Sequence, residues 1–315
     1  MQAQRQAETD ERVETAMAAW QTAQAKGGLA AQITDAYVIR THPNWTVFGA
    51  MAGDQAVVVK HFTQDGAADA VHAASVELQL VGPHMCEGPL QINQVLADDP
   101  EQGILILSQV PDAPLQSVLD DPAADRSALM RQAGDWLTRY VGARISTGKF
   151  APFYWQEQLV NTSFKALDPE TRRLAQAMRS KLRAHAEKLR AFQVRRVAGH
   201  GDFATHNFGY EQGVLYGFDV QGETIRPLAQ ELAHFLVLTT MKSQPDAGPQ
   251  YIGLREADVA ALCIQAGLPE LEYETVFRYL VGWYMCRFFA RYAHNPARVA
   301  ALRGMLTRAL DDWPD

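Results

Sequence analysis

A change of texture at Val110-Pro111-Asp112-Ala113-Pro114 constrains the fold most. Each proline fixes φ and lacks an amide hydrogen, so neither a helix nor a central strand runs through this stretch. Upstream, Tyr37-Val38-Ile39, Trp45 to Met51 and Ala56 to Phe62 are rich in β-branched and aromatic residues, and Gly53-Asp54 places a turn between the last two. Three antiparallel strands are predicted there. Residues 66–81 put Val71, Ala74, Leu78 and Val81 on one helical face, and Gln91 to Ala97 and Gly103 to Gln109 read as two further strands. The order is β-β-β-α-β-β.

Downstream the periodicity is mostly helical. Leu129, Ala133, Trp136, Leu137 and Tyr140 define one helix, and Asp168-Pro169 opens another that runs to about Phe192. Further helices are predicted at Pro227 to Thr240, Leu254 to Ala266 and Glu270 to Ala293, with a last one opened by Asn295-Pro296. Two short β-like segments, Val194 to Ala198 and Val214 to Asp219, interrupt them. Near the start, Val13, Met17, Trp20 and Ala23 lie at helical spacing before Gly27-Gly28. The expectation is an α+β chain: a helical extension over 1–34, a β-rich lobe over 35–110, and a large mainly helical lobe over 111–315.

Composition narrows the function. With 29 Lys and Arg against 36 Asp and Glu, the net charge is −7, which argues against a non-specific nucleic-acid binder. Its 3 cysteines, Cys86, Cys263 and Cys286, show no CxxC spacing, so neither a disulfide framework nor a zinc knuckle is expected. The N-terminal residues show no basic stretch followed by an apolar one. Leu232 to Thr240 and Tyr279 to Tyr292, the most apolar runs, fall short of the roughly 20 residues that cross a bilayer. The expectation is a cytoplasmic protein without a membrane or nucleic-acid partner; its oligomeric state is not legible.

The densest polar cluster is His200-Gly201-Asp202-Phe203-Ala204-Thr205-His206-Asn207, followed by Gly217-Phe218-Asp219. Asp202 and Asn207 sit on a loop after one short strand, and Asp219 ends the next, so a hairpin-like arrangement would gather all three at one mouth. Two carboxylates and an amide oxygen suit Mg²⁺, which takes a few hard oxygen ligands and completes its shell with water and phosphate. The remaining carboxylate is then available to orient an attacking hydroxyl.

These residues resemble the signature of the aminoglycoside phosphotransferase and choline kinase group, relatives of the protein kinases with HRD-x4-N and DFG motifs. The resemblance implies a two-lobed protein-kinase-like fold and ATP-dependent, Mg²⁺-assisted phosphorylation of a hydroxyl on a small molecule of the amino alcohol, aminoglycoside or sugar class. It casts Asp202 as the catalytic carboxylate and Asn207 and Asp219 as metal ligands. Ala56-Val57-Val58-Val59-Lys60 is similar to the strand whose lysine contacts ATP phosphates, and Glu77 lies on the following helix as its partner. Ser108, Gln109 and Val110 match the segment whose backbone meets adenine, and Glu231-Leu232-Ala233 resembles the Asp-Leu-Ala of the family. Two departures stand out: Thr41 to Trp45, where a phosphate-covering loop belongs, has no glycine, and Asp219 is followed by Val220-Gln221-Gly222.

Each feature has a plainer alternative. Lys60 and Glu77 alone are ordinary surface residues, and Asp202, Asn207 and Asp219 could be turn formers. His200 and His206 around Asp202 could bind a transition metal, although no fourth ligand has useful spacing. Tyr279, Trp283, Tyr284, Phe288 and Phe289 could cage a quaternary ammonium, but their helical spacing favours a core face. Glu270, Glu272 and Glu274 could attract an amine, but a charge run is usually a solvated face. The alternative function is a catalytically inactive kinase fold that binds nucleotide or metabolite as a regulator.

Overall fold

The computed structural model describes residues 2–111, 113–243 and 248–313, with side chains from Asp10 onward. Asp112 of the proline segment, and residues 244–247 between the helices predicted at Pro227 to Thr240 and Leu254 to Ala266, lie outside the described residues. The chain packs into two compact units, Met1–Asp112 with Tyr216–Glu223, and Ala113–Leu215 with Thr224–Asp315.

The first unit begins with α1 (Gln2–Lys26), followed by β1 (Ile33–His42), β2 (Trp45–Ala52), β3 (Gln55–Phe62), α2 (Ala67–Val81), β4 (Leu90–Ile92), β5 (Val95–Asp99) and β6 (Ile104–Ser108). Five of the strands form one sheet in the order β1-β2-β3-β6-β5, antiparallel throughout. The predicted strand from Gln91 to Ala97 is two strands, because the chain turns at Asn93 and Gln94: the Gln94 amide donates to Ser108 Oγ at 2.8 Å. α1 starts earlier than its apolar pattern does, since Gln, Ala, Arg and Glu before Asp10 are good helix formers without apolar periodicity. Its Ala16, Trp20 and Ala23 pack on Phe48, Ala50, Val57, Val59 and Ile106 of the sheet. Period-two alternation puts Lys60 on the other face, and Val71, Ala74, Leu78 and Val81 of α2 are buried as their spacing requires.

The second unit contains α3 (Leu115–Leu119), α4 (Arg126–Val141), β7 (Ile145–Lys149), α5 (Pro152–Val160), α6 (Pro169–Lys188), β8 (Gln193–Gly199), β9 (Phe208–Glu211) and the start of β10 (Val214–Gly217). It resumes with β11 (Thr224–Pro227), α7 (Leu228–Lys242), β12 (Gln250–Tyr251), β13 (Leu254–Arg255), α8 (Glu256–Gln265), α9 (Glu270–Glu272), α10 (Arg278–Arg291) and α11 (Pro296–Asp311). Asp168 caps α6 through the amides of Glu170 and Thr171, and Asn295 caps α11 through that of Arg298. The predicted helix from Glu270 to Ala293 is interrupted by a π turn at Tyr273–Phe277. β8 lies between β7 and β11. This corrects the hairpin expected between the strand before Asp202 and the strand before Asp219. No helix of the described residues is long and apolar enough to cross a membrane.

Candidate active site

In the second unit, the loop after β8 carries Asp202 and Asn207, and its shape follows from two glycines. Gly199 makes room for a buried carboxylate, since a Cβ there would stand 2.5 Å from Glu231 Oε1. Gly201 takes φ +92°, a conformation that side-chain-bearing residues avoid. Glu231, on α7 and only 2 % exposed, accepts the Gly201 amide at 3.3 Å and pairs with Arg226 at 3.2 Å. Arg226 also donates to the Gly201 carbonyl at 2.8 Å. Burial pushes the Glu231 carboxyl up to about 7, against the pull of Arg226. His200 is fully buried beside Trp136, Tyr140 and Phe208, a packed loop histidine.

Asn207 Nδ2 donates to the Asp202 carbonyl at 2.8 Å and to Asp202 Oδ2 at 3.0 Å. His206 Nε2 lies 3.5 Å from Asp202 Oδ2, and His234 Nδ1 lies 3.8 Å from Oδ1. Burial alone would raise the Asp202 pKa, but the hydrogen bonds from His206 and Asn207 and the neighbouring His234 outweigh it and hold the carboxyl well below its usual range. His234 is itself lowered to about 4 by burial, with Asp202 opposing. It is therefore a neutral imidazole at pH 7. Sequence reasoning missed Arg226, His234 and Lys242. The available signals were the spacing of Glu231 and His234 on one helical face and an arginine five residues before a buried glutamate.

In the first unit, Lys60 is 7 % exposed and pairs with Asp219 Oδ1. Its ammonium lies 4.8 Å from the Phe62 ring centre and 5.6 Å from that of Trp45. Asp219 has φ +66°, a strained setting for a residue other than glycine. Three residues on, Gly222 at φ +114° passes so close to Ala73 of α2 that an added Cβ would sit 2.9 Å from the Ala73 Cβ. Glu77 is buried in α2 at 2 % exposure. The amides of Ser108 and Gln109 donate to the carbonyls of Gln94 and Ala56, so among the described residues Val110 has the uncommitted amide of the three. The Thr41–Trp45 stretch is a tight turn pinned from Thr63, whose amide and hydroxyl donate to the Asn44 and Pro43 carbonyls at 2.9 and 3.2 Å.

The plainer readings divide. Tyr279, Trp283, Phe288 and Phe289 are buried core, as helical spacing favours, while the Tyr284 ring packs against that of His234, tilted by 30° with centres 4.9 Å apart. Glu272 is no solvated face: it is buried and accepts the Arg195 amide at 2.7 Å, while Glu274 pairs with Arg278 at 2.9 Å. Among the described residues, no group of three or more His, Cys, Asp or Glu side chains is placed to hold a metal by itself, which removes the support for a His-rich transition-metal site.

No family model matches the sequence, and no curated protein is similar to it in sequence. Solved structures are similar in fold. A choline/ethanolamine kinase family protein from Mesorhizobium loti aligns over 93% of this chain and 98% of its own, at 15% identity and a TM-score of 0.58. The aminoglycoside phosphotransferase APH(4)-Ia, in a ternary complex with ADP and hygromycin B, aligns over 90% and 95% at 14% identity and a TM-score of 0.57. An amicoumacin kinase in complex with AMP-PNP and Ca²⁺ aligns over 93% and 94% at 12% identity and a TM-score of 0.53. The chain thus has the two-lobed protein-kinase-like fold of the choline kinase and aminoglycoside phosphotransferase structures, with a small antiparallel-sheet lobe and a mainly helical lobe.

Proposed function

We propose that this protein transfers the γ-phosphoryl group of ATP to a hydroxyl of a small molecule. The observation that carries the reading is Asp202, a partly buried carboxylate held ionised by three neighbours on a loop shaped by Gly199 and Gly201. An ionised carboxylate at that point aligns the acceptor hydroxyl as a hydrogen-bond acceptor. Its low proton affinity means that it takes the proton only once the new P–O bond is well advanced, as a metaphosphate-like transition state requires. The acceptor oxygen bonds to the γ-phosphorus, the bond from that phosphorus to the bridging oxygen breaks, ADP leaves, and the hydroxyl proton passes through Asp202 to solvent.

Lys60 is assigned to the nucleotide phosphates, with Glu77 as its positioning partner, and Val110 offers its backbone to the base. The oxygen donors fit Mg²⁺: Asn207 commits its amide nitrogen to Asp202, which leaves its carbonyl oxygen for a hard cation, and Asp219 keeps a second carboxylate oxygen beyond the one bound to Lys60. When bound, Mg²⁺ supplies neutralisation of phosphate charge. Asn207 and Asp219 are the residues assigned to hold it.

One observation favours the second reading, a kinase fold without transfer. The turn before Trp45 offers no glycine amides, and Trp45 lies beside the Lys60 ammonium. Thermal shift with ATP and Mg²⁺, followed by turnover over a panel of acceptors in wild type and Asp202→Ala, separates the two. Acceptor-stimulated turnover that vanishes in the variant supports transfer; nucleotide binding without acceptor-stimulated turnover supports the second reading.

A further inference from the structure

The second unit holds a cavity of about 390 Å³ that none of the residues assigned to catalysis, nucleotide or metal lines. Lys149 of β7, Tyr154 and Trp155 of α5, Arg196 of β8, Arg226 of β11 and Trp283 of α10 form its walls. The aromatic side is fixed by its own contacts. Trp283 Nε1 donates to the Trp155 carbonyl at 2.9 Å, the two indoles meet edge to face at 4.9 Å, and Tyr154 meets Trp155 edge to face at 5.3 Å. Tyr154 is nonetheless 57 % exposed and Ile225, also in the lining, 43 %, so large apolar side chains are left uncovered at the cavity.

No aspartate or glutamate lines the cavity, while three cations do. Arg226 is answered by Glu231 at 3.2 Å. Among the described residues, neither Lys149 nor Arg196 pairs with a carboxylate. Arg196 is held in place from two sides. Its Nη2 donates to the Ile225 carbonyl at 3.3 Å, and its side chain lies across the bare backbone of Gly148, where an added Cβ would stand 2.8 Å from Arg196 Cδ. The remaining donors of the guanidinium fork suit the paired oxygens of a carboxylate or phosphate. Two uncompensated cations in one concave site make its field positive. Aromatic walls and a positive field together select a flat ring that bears an acid group.

We propose that this cavity binds a small aromatic anion, its ring among Tyr154, Trp155 and Trp283 and its carboxylate or phosphate oxygens held by Arg196 and Lys149. The site borders the catalytic loop through Arg226, which lines the cavity and also donates to the Gly201 carbonyl at 2.8 Å. Occupancy of the cavity does not require phosphoryl transfer, so it is measured without nucleotide.

The test is calorimetric titration of the full chain with phenylacetate, phenethylamine, cyclohexylacetate and phenyl phosphate. Phenylacetate should bind about tenfold more tightly than phenethylamine, as one hydrogen-bonded charge contact provides, and more tightly than cyclohexylacetate. Phenyl phosphate tells whether a carboxylate or a phosphate is the better head group. Arg196→Gln and Lys149→Gln, both at solvent-accessible positions, should each cut the preference for acid over amine by about threefold or more. Gly148→Ala keeps every charge but displaces the Arg196 side chain, and should weaken phenylacetate by a similar factor. Tyr154→Ala should weaken phenylacetate and phenyl phosphate alike. ATP affinity should stay the same in every variant. Equal or tighter binding of phenethylamine, binding of neither phenyl acid at millimolar concentration, equal affinity for cyclohexylacetate, or a preference untouched by Arg196→Gln and Lys149→Gln overturns the proposal. Absence of ATP binding, with the acid preference intact, would instead overturn the phosphotransfer reading alone.

Discussion

Asn207 turns its side-chain amide onto Asp202, giving one hydrogen to the backbone carbonyl at 2.8 Å and one to the carboxylate at 3.0 Å. One residue thereby fixes both the path of the loop and the rotamer of its carboxylate. Asn207→Asp replaces a donor by a second carboxylate, which raises the proton affinity of Asp202. We expect the acid limb of the pH–rate profile to move up by about one unit or more in that variant, whereas Asn207→Ala, which removes the hydrogen bond without adding a charge, should lower turnover with a smaller upward shift. An unmoved acid limb in Asn207→Asp would show that Asp202 does not govern it.

Lys60 and Asp219 make a testable asymmetry. Removing the anion deprives a buried cation of the carboxylate it pairs with, while removing the cation takes away the charge that carboxylate answers. Asp219→Asn keeps a residue that tolerates the +66° backbone and should still cost about 1–3 kcal/mol in urea unfolding. Lys60→Met, similar in shape and apolar between Trp45 and Phe62, should cost less. Both should abolish turnover. A larger stability loss in Lys60→Met than in Asp219→Asn would contradict the assignment.

Glu231 and His234 give stability opposite pH slopes. The folded Glu231 holds its proton up to about 7, above the ordinary 4.5, so its contribution is lost as pH rises across that window. The folded His234 has its pKa lowered to about 4 from the ordinary 6.5, so its contribution is lost as pH falls across that window. In wild type the two offset each other. Glu231→Gln should leave an unfolding free energy, read from urea titrations, that rises from pH 4.5 to 7 relative to wild type, and His234→Asn one that falls, each by an amount on the order of 2–3 kcal/mol. His61 and His185, lowered by burial, add a rising component common to all three proteins. Parallel curves for wild type and both variants would refute the account.

Gly253 tests packing apart from chemistry. Ile252 and Gly253 make the two-residue turn between β12 and β13, with φ +46° and +76°. A Cβ at Gly253 would collide with the Met305 carbonyl of α11. Gly253→Ala should lower stability by about 3 kcal/mol or more, and Gly53→Ala, in an open turn with nothing nearby, by about 1 kcal/mol. Equal losses would mean that α11 yields at that point.

Much of this architecture can be read from local pattern. The turn at Gly53-Asp54, the apolar face of α2 and the caps of α6 and α11 each rest on a few neighbouring residues, and each is found. β7 escapes because Ser146-Thr147-Gly148-Lys149 is polar and mostly exposed, and its partner β8 is more than forty residues away. The π turn at Tyr273–Phe277 and the inward Glu272 depend on Tyr251 and Arg195, which no local window includes. The same limit separates the site residues. Asp202, Asn207 and Asp219 stand in a recognisable string, whereas Arg226, His234 and Lys242 reach the loop only through the packing of β11 and α7.

The central claim is phosphoryl transfer governed by Asp202, and the direct measurement uses ATP labelled in its γ-phosphate with wild type and Asp202→Asn. The account expects label in a phosphomonoester of the acceptor, a loss of about a thousandfold or more in the variant, and little change in ATP affinity. Label released only as inorganic phosphate, or transfer at an undiminished rate in Asp202→Asn, would contradict it.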